Sequence, residues 1–314
     1  MILETDKLGP ICIEADSAES LRWSELPENM LFFRHICKLC SDYPSIFLAY
    51  SATKDVKDIA QITAHGFTEL GINVFMAPYA VPICAFSQAV ALRNAPIGIY
   101  LSKDDKQRGF LLTAVASHGG LFDLRDVNNE KMALNLSKTG VIGETNMTDA
   151  YIENLAGLAD SAIEPGIGFK EIRIPFPHID ELIKTHKNAQ ILNVSDKNGL
   201  TATIGDDGQQ LTITDTRGLI VSTEKIASSI MTYLQKERFA RGTIIGQRPL
   251  LNQVIDEENY IEVKDSIYSL HFFAASCDLL LGWWPNGVIA HQGSSCFGDG
   301  ILSAIYYIEA LRSI

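Results

Sequence analysis

The residue types able to do chemistry fall into a few short runs of the sequence. Cys37 and Cys40 form a C-x-x-C inside NMLFFRHICKLC, which reads as an amphipathic helix. Positions i and i+3 share a helical face, where a free cysteine packs as a small hydrophobe. No second cysteine pair with zinc spacing follows. Ser102, Lys103 and Asp104 stand in LSKDD, a run that by itself reads as a solvated, charged loop. Asp206 and Asp207 are adjacent carboxylates in GDDGQQ, residue types that turns favour for their own backbone hydrogen bonds. Trp283 and Trp284 are adjacent in GWWPNG. On a strand they point to opposite faces, one toward the core and the other toward a cleft or a partner. The polar run His291–Cys296 precedes the last helix, where a small anion would sit well, though the run also reads as a plain loop. The seven histidines are scattered without H-E-x-x-H, and neither a P-loop nor G-x-S-x-G is present.

The frame for these runs is an ordinary globular chain. With 314 residues, 46% hydrophobic and 20% charged, it is neither disordered nor coiled coil, and its length fits two or three domains. Asp plus Glu is 38 against 26 Lys plus Arg, a formal charge of −12. No basic run offsets that sign, so a nucleic-acid partner is not expected. No apolar stretch is long enough to span a membrane, and MILETDKLGP is no signal peptide, so a cytoplasmic protein without membrane contact is expected. Six cysteines are too sparse for a disulfide framework.

Hydrophobic periodicity alternates strand and helix. Strands are expected at 45–51, 72–77, 97–102 and 109–116, with helices at 25–40, 56–71 and 82–94. A polar stretch, 123–146, reads as a connecting helix and linker. Then come a helix at 148–160, a strand at 170–176, a helix at 178–188 and strands at 189–194 and 200–205. A hairpin is expected over 211–222 across Arg217-Gly218, then a helix at 223–237. The last unit starts at RGTIIGQ (241–247), and a helix near 265–276, a strand at 278–284 and a helix at 299–313 capped by Asp299 complete the chain. Strand–helix alternation implies β-α-β units and mostly parallel pairing.

This order of elements resembles the α-D-phosphohexomutases, the phosphoglucomutases and phosphomannomutases. SIFLAYSATKDVKDIAQITAHGFTELGINVFMAPYAVPICAFSQAVALRNAPIGIYLSKDDKQRGFLLTAVASHGGLFD is similar to that family's first domain. TDAYIENLAGLAD, IDELIKTHKNAQILNVSDKNG and TATIGDDGQQLTITDTRGLIVSTEKIASSIMTYL resemble its second, and DLLLGWWPNGVIAHQGSSCFGDGILSAIYYIEAL its third. The resemblance implies three consecutive α/β domains with mixed sheets, at 1–147, 148–240 and 241–314. It also implies a shortened second domain and no counterpart of the family's fourth, phosphate-binding domain.

The family's chemistry maps poorly. Its phosphoryl carrier is the serine of T-A-S-H-N-P, where this chain has Leu101-Ser102-Lys103-Asp104-Asp105. Ser102 is the only hydroxyl there, with Lys103 placed to face a phosphate. The Mg2+ loop D-G-D-x-D-R falls on Gly205-Asp206-Asp207-Gly208-Gln209-Gln210, so Asp207 alone keeps an aspartate position, with Asp206 as a stand-in. The sugar-reading G-E-E-S-G-G falls on Gly282-Trp283-Trp284-Pro285-Asn286-Gly287, which keeps the outer glycines and replaces the acids and serine. The family's G-x-D-x-R reads Ala49-Tyr50-Ser51-Ala52-Thr53. Three readings follow. In the first, phosphoryl transfer is lost, no cofactor is needed, and the protein binds, regulates or scaffolds in carbohydrate metabolism beside a protein partner. In the second, a divergent mutase uses Ser102, Lys103, Asp206, Asp207 and Mg2+ on a hexose phosphate. In the third, the chain docks or oligomerises, with Gly282, Trp283, Trp284, Asn286 and Gly287 as surface.

Overall fold

The computed structural model describes residues 11–13, 45–104, 109–122, 139–158, 168–185, 199–250, 259–264 and 266–313. The helix expected at 25–40 with its C-x-x-C, most of 123–146 and the strand expected at 189–194 lie outside them. Contacts divide the chain into two compact units, Met1–Met147 and Thr148–Ile314.

In the first unit, short apolar runs make the strands β1 (Ile11–Ile13), β2 (Ser45–Tyr50), β3 (Asn73–Met76), β4 (Ile97–Asp104), β5 (Gly109–Ala116) and β6 (Ile142–Glu144). They form one sheet in the order β1-β5-β4-β2-β3-β6. Helix α1 (Val56–Glu69) connects β2 to β3, and α2 (Ile83–Leu92) connects β3 to β4. Helical spacing buries Val56, Ile59, Ala60, Thr63, Ala64 and Phe67 of α1. They pack with Ile46, Leu48, Val74, Met76, Ile97, Ile99 and Leu101. The pairs among β4, β2, β3 and β6 are parallel, while β5 runs antiparallel to β4 and β1. The sheet is therefore less parallel than strand–helix alternation implies. The cause is the link from β4 to β5: its four residues allow a hairpin but not a crossover. Two sequence expectations change here. β4 runs through Asp104 instead of ending at Ser102, and β6 lies inside the stretch read as linker.

The second unit opens with α3 (Asp149–Leu158) and holds two four-stranded sheets. One contains β7 (Glu171–Arg173), β8 (Thr201–Ile204), β9 (Leu211–Thr214) and β10 (Ile220–Val221), in the order β10-β9-β8-β7. Helix α4 (Pro177–Thr185) follows β7. The hairpin β9–β10 turns as expected, with Asp215 Oδ1 accepting from the backbone N–H of Arg217 and Leu219. The other sheet contains β11 (Thr243–Gly246), β12 (Tyr260–Glu262), β13 (Leu279–Trp284) and β14 (Val288–His291), in the order β12-β11-β13-β14. Helix α5 (Thr223–Lys236) is capped by Ser222, α6 (Ile267–Ser276) by Ser266 and α7 (Gly300–Arg312) by Asp299. β12 and β14 carry no sequence expectation. All three sheets are mixed, as the family resemblance implies.

Phe239 follows α5 with φ +52 and is 82% exposed. A left-handed backbone costs a non-glycine residue about 1–2 kcal/mol, and the ring gains nothing back by burial. Phe239→Gly is expected to raise the unfolding free energy by about 1 kcal/mol, read from the denaturant midpoint. An unchanged or lower midpoint would contradict this.

Candidate functional site

The runs aligned with the family's serine, metal and sugar loops lie at strand ends. Ser102 and Lys103 are ladder residues: Ser102 pairs with Leu111, Lys103 with Phe110 and Asp104 with Gly109. Successive strand side chains alternate between faces. Lys103 shares the α1 face with Ile97, Ile99 and Leu101, and its Nζ lies 5.8 Å from the centre of the Phe110 ring. Ser102 lies on the other face with Gly98 and Tyr100, where Tyr100 packs against Phe86 of α2. The hydroxyl and the ammonium are thus on opposite sides of the sheet, and the ladder does not bring them together. Only Asp105, Lys106, Gln107 and Arg108 remain between the paired strands, and none carries a hydroxyl.

In the second unit the Gly205–Gln210 run is the turn between β8 and β9. Gly205 N–H donates to the Gln210 carbonyl (3.0 Å) and Gly208 N–H to the Gly205 carbonyl (2.9 Å), closing it. Gln209 holds Asp207 twice, donating from its backbone N to Oδ1 (3.0 Å) and from Nε2 to Oδ2 (2.8 Å). Desolvation pushes the Asp207 carboxyl up, opposed by those two hydrogen bonds and by one from its own backbone N–H, while neighbouring Asp206 adds to the rise. Asp206 itself is exposed. Among the described residues no three His, Cys, Asp or Glu side chains converge on a point. A Mg2+ ion takes oxygen ligands in near-octahedral geometry and is usually held by carboxylates. The single carboxylate at an aspartate position has both oxygens engaged by an amide, so these residues do not fit the ion.

The Gly282–Gly287 run ends β13 and turns into β14. It lies beside the β8–β9 turn: Leu211 N–H donates to the Gly287 carbonyl (2.9 Å), and Gln210 bridges Val288. Two of the three runs are therefore neighbours. Gly287 has φ +98, and a Cβ there would lie 2.7 Å from the Leu211 carbonyl oxygen, so the glycine is needed for this approach. The tryptophans do take opposite faces. Trp283 is 1% exposed, its indole lying over Gly246, whereas Trp284 is half-buried beside exposed Pro285 and Asn286. Thr223 Oγ1 donates to the Pro285 carbonyl and ties this turn to the start of α5. Gly282 is buried against Leu270 and Ala290.

The most built polar arrangement among the described residues centres on Asp299, which the sequence marks as a helix cap, and takes in His291, Ser294 and Cys296 of the polar run before it. Asp299 is fully buried. Its Oδ1 accepts from Tyr151 Oη (2.8 Å) and Leu302 N (2.9 Å), and its Oδ2 from Ser294 Oγ (2.8 Å). His291 Nε2 donates to Ser303 Oγ (2.7 Å), which donates to the Asp299 carbonyl (2.6 Å). Gly300 N–H donates to the Gly208 carbonyl, joining α7 to the β8–β9 turn. Asp299 and Gly208 thus take the donors at the start of α7 that an anion would use. His271 Nδ1 donates to the Cys296 carbonyl (3.0 Å). Burial pushes His271 down to about 4, against that hydrogen bond, and pushes His291 down to about 3. Both imidazoles are neutral at pH 7.

No protein-family profile matches the sequence, and no curated protein matches it. The fold does match solved structures. A phosphoglucomutase/phosphomannomutase family protein of Burkholderia thailandensis aligns with a TM-score of 0.69 at 12% identity, over 99% of this chain and 78% of its own. A candidate phosphomannomutase of Thermus thermophilus aligns with a TM-score of 0.69 at 13% identity, over 90% and 74%. The exocytosis-sensitive phosphoprotein parafusin of Paramecium, a phosphoglucomutase in its open form, aligns with a TM-score of 0.60 at 12% identity, over 97% and 72%. The chain thus has the three-sheet α/β fold of the phosphohexomutases. About a quarter of each of those structures has no counterpart in it. Among the described residues, no helix is long and apolar enough to cross a membrane.

Proposed function

We propose that this protein does not transfer phosphoryl groups and acts instead by binding, as a regulatory or scaffolding protein of carbohydrate metabolism. The observation that carries the reading is the β4–β5 ladder, paired from Ile97–Ala116 through Asp104–Gly109. A phosphoryl carrier must present a hydroxyl free to approach the sugar, because such transfer depends on positioning and charge stabilisation. Here the only hydroxyl of the run sits within the ladder, and its cationic neighbour faces away. The closed Asp207–Gln209 pair supports the same reading, since it lacks the charge that a transferring phosphoryl group needs. Each lost electrostatic contact of this kind costs about 10²–10³ in rate.

The test is a coupled mutase assay on glucose 1-phosphate and mannose 1-phosphate with hexose bisphosphate and Mg2+. The expected result is no turnover above the blank. Turnover that disappears in Ser102→Ala or Asp207→Ala would establish the divergent-mutase reading in its place. The docking reading has its own support in Leu219, Ile220 and Phe239, which are 60–82% exposed. Light scattering tests it: a monomer at high concentration would count against self-association.

A further inference from the structure

The β8–β9 turn, which the family resemblance sets on a metal loop, is closed by its own backbone. Its ends are joined by Gly205 N–H to the Gln210 carbonyl, and its bend by Gly208 N–H to the Gly205 carbonyl. Its one inward carboxylate, Asp207, accepts from the main-chain and side-chain amides of the same residue, at 3.0 and 2.8 Å. Its outer side rests on the start of α7, where Gly300 N–H donates to the Gly208 carbonyl at 2.8 Å. The fit there is tight: a Cβ on Gly298 would lie 2.9 Å from the Gln209 carbonyl oxygen, and one on Gly300 2.6 Å from that of Gln210. The oxygen of the Gln209 side-chain amide, Oε1, is buried without a hydrogen-bond partner among the described residues. The amide is therefore held by what its NH2 gives Asp207, not by what its oxygen receives.

We propose that Gln209 is an internal substitute for a divalent cation: its amide donors occupy the Asp207 oxygens that a metal ion would need. The turn and its seat on α7 then keep their shape whether or not divalent cations are present. A neutral donor can do this because only one carboxylate at an aspartate position needs an answer. With Gly205 and Gln209 at the other two positions, the only like charge beside Asp207 in the turn is the exposed Asp206, and no cluster of three acids has to be neutralised. The inference concerns only how the turn is held. It would survive a finding of cation-independent sugar-phosphate turnover, which would overturn the functional reading above. Conversely, that reading would survive a finding of idle metal binding.

The experiment compares the full chain with Gln209→Asp and Gln209→Leu, measuring melting temperature in EDTA, Mg2+ and Mn2+, with Mn2+ binding followed by electron paramagnetic resonance. The wild type is expected to bind no Mn2+ and to melt at one temperature in all three. Gln209→Leu is expected to melt lower, by the same amount in each condition. Gln209→Asp sets a carboxylate against Asp207; it is expected to melt lower in EDTA and to recover with Mn2+. Stoichiometric Mn2+ on the wild type would overturn the proposal, and so would a Gln209→Leu chain as stable as the wild type. A Gln209→Asp chain indifferent to Mn2+ would overturn it too, because the turn's shape and not Gln209 would then be what excludes the ion.

Discussion

Between pH 7 and pH 5 the folded protein is expected to lose about 4 kcal/mol of stability through two buried imidazoles. His271 and His291 are each 1% exposed and stay neutral in the fold down to about 4 and about 3, whereas a free histidine takes its proton near 6.5. Below 6.5 the unfolded chain therefore binds two protons that the folded chain refuses. Stability is complete above that value and falls as the pH drops toward the folded values. Each pH unit of that difference is worth about 1.4 kcal/mol per group, so the descent from 6.5 to 5 is worth about 2 kcal/mol for each imidazole. Asp207 acts in the opposite sense, because its carboxyl is pushed up and the fold gains from its protonation at lower pH. The measurement is urea unfolding at both pH values. A double variant, His271→Asn with His291→Gln, keeps an N–H donor near each bonded nitrogen and removes the titration. That variant should lose most of the pH dependence. Equal stability of the wild type at pH 7 and pH 5 would contradict the account.

Asp299→Ala is expected to destabilise the protein by about 4 kcal/mol. The substitution removes the cap of α7 and the acceptor of the Tyr151 and Ser294 hydroxyls in one step. Losing a cap typically costs about 1 kcal/mol, and each hydrogen bond to a charged group contributes about 1.5–3 kcal/mol. Tyr151 is 1% exposed, so its hydroxyl would be left without water. Asp299→Asn keeps an acceptor of the same shape and is expected to cost markedly less. Because Tyr151 and Asp299 act as a pair, Tyr151→Phe should add little on top of Asp299→Ala. A change below about 1 kcal/mol for Asp299→Ala would show that the network is not what anchors α7.

Most of the secondary structure was legible because its signals are local. Apolar runs between turn residues gave the long strands, helical spacing gave α1 and α5, and an aspartate before a glycine marked the start of α7. What was not legible depends on partners distant in sequence. Lys103 and Asp104 are poor strand formers, and they extend β4 because Phe110 and Gly109 of β5 stand opposite them. β6, β12 and β14 are short edge strands, defined by the neighbour each one pairs with. The opposite faces of Trp283 and Trp284 followed from strand periodicity, but which of them is buried depends on Gly246, far away in sequence. At the site, the replaced acids of the turn could be read directly. The answer to Asp207 from Gln209 could not, because it depends on a rotamer. Asp299 read as a cap, but its partnership with Tyr151 spans 148 residues and leaves no local trace.

The central claim is that the protein carries no phosphoryl group on a residue of its own. The most direct measurement is intact-protein mass spectrometry after incubation with glucose 1,6-bisphosphate and Mg2+, followed by peptide mapping of any adduct. The account predicts an unmodified chain. A stoichiometric phosphoryl adduct mapping to Ser102, removed by adding hexose monophosphate, would contradict it and make the protein a working mutase.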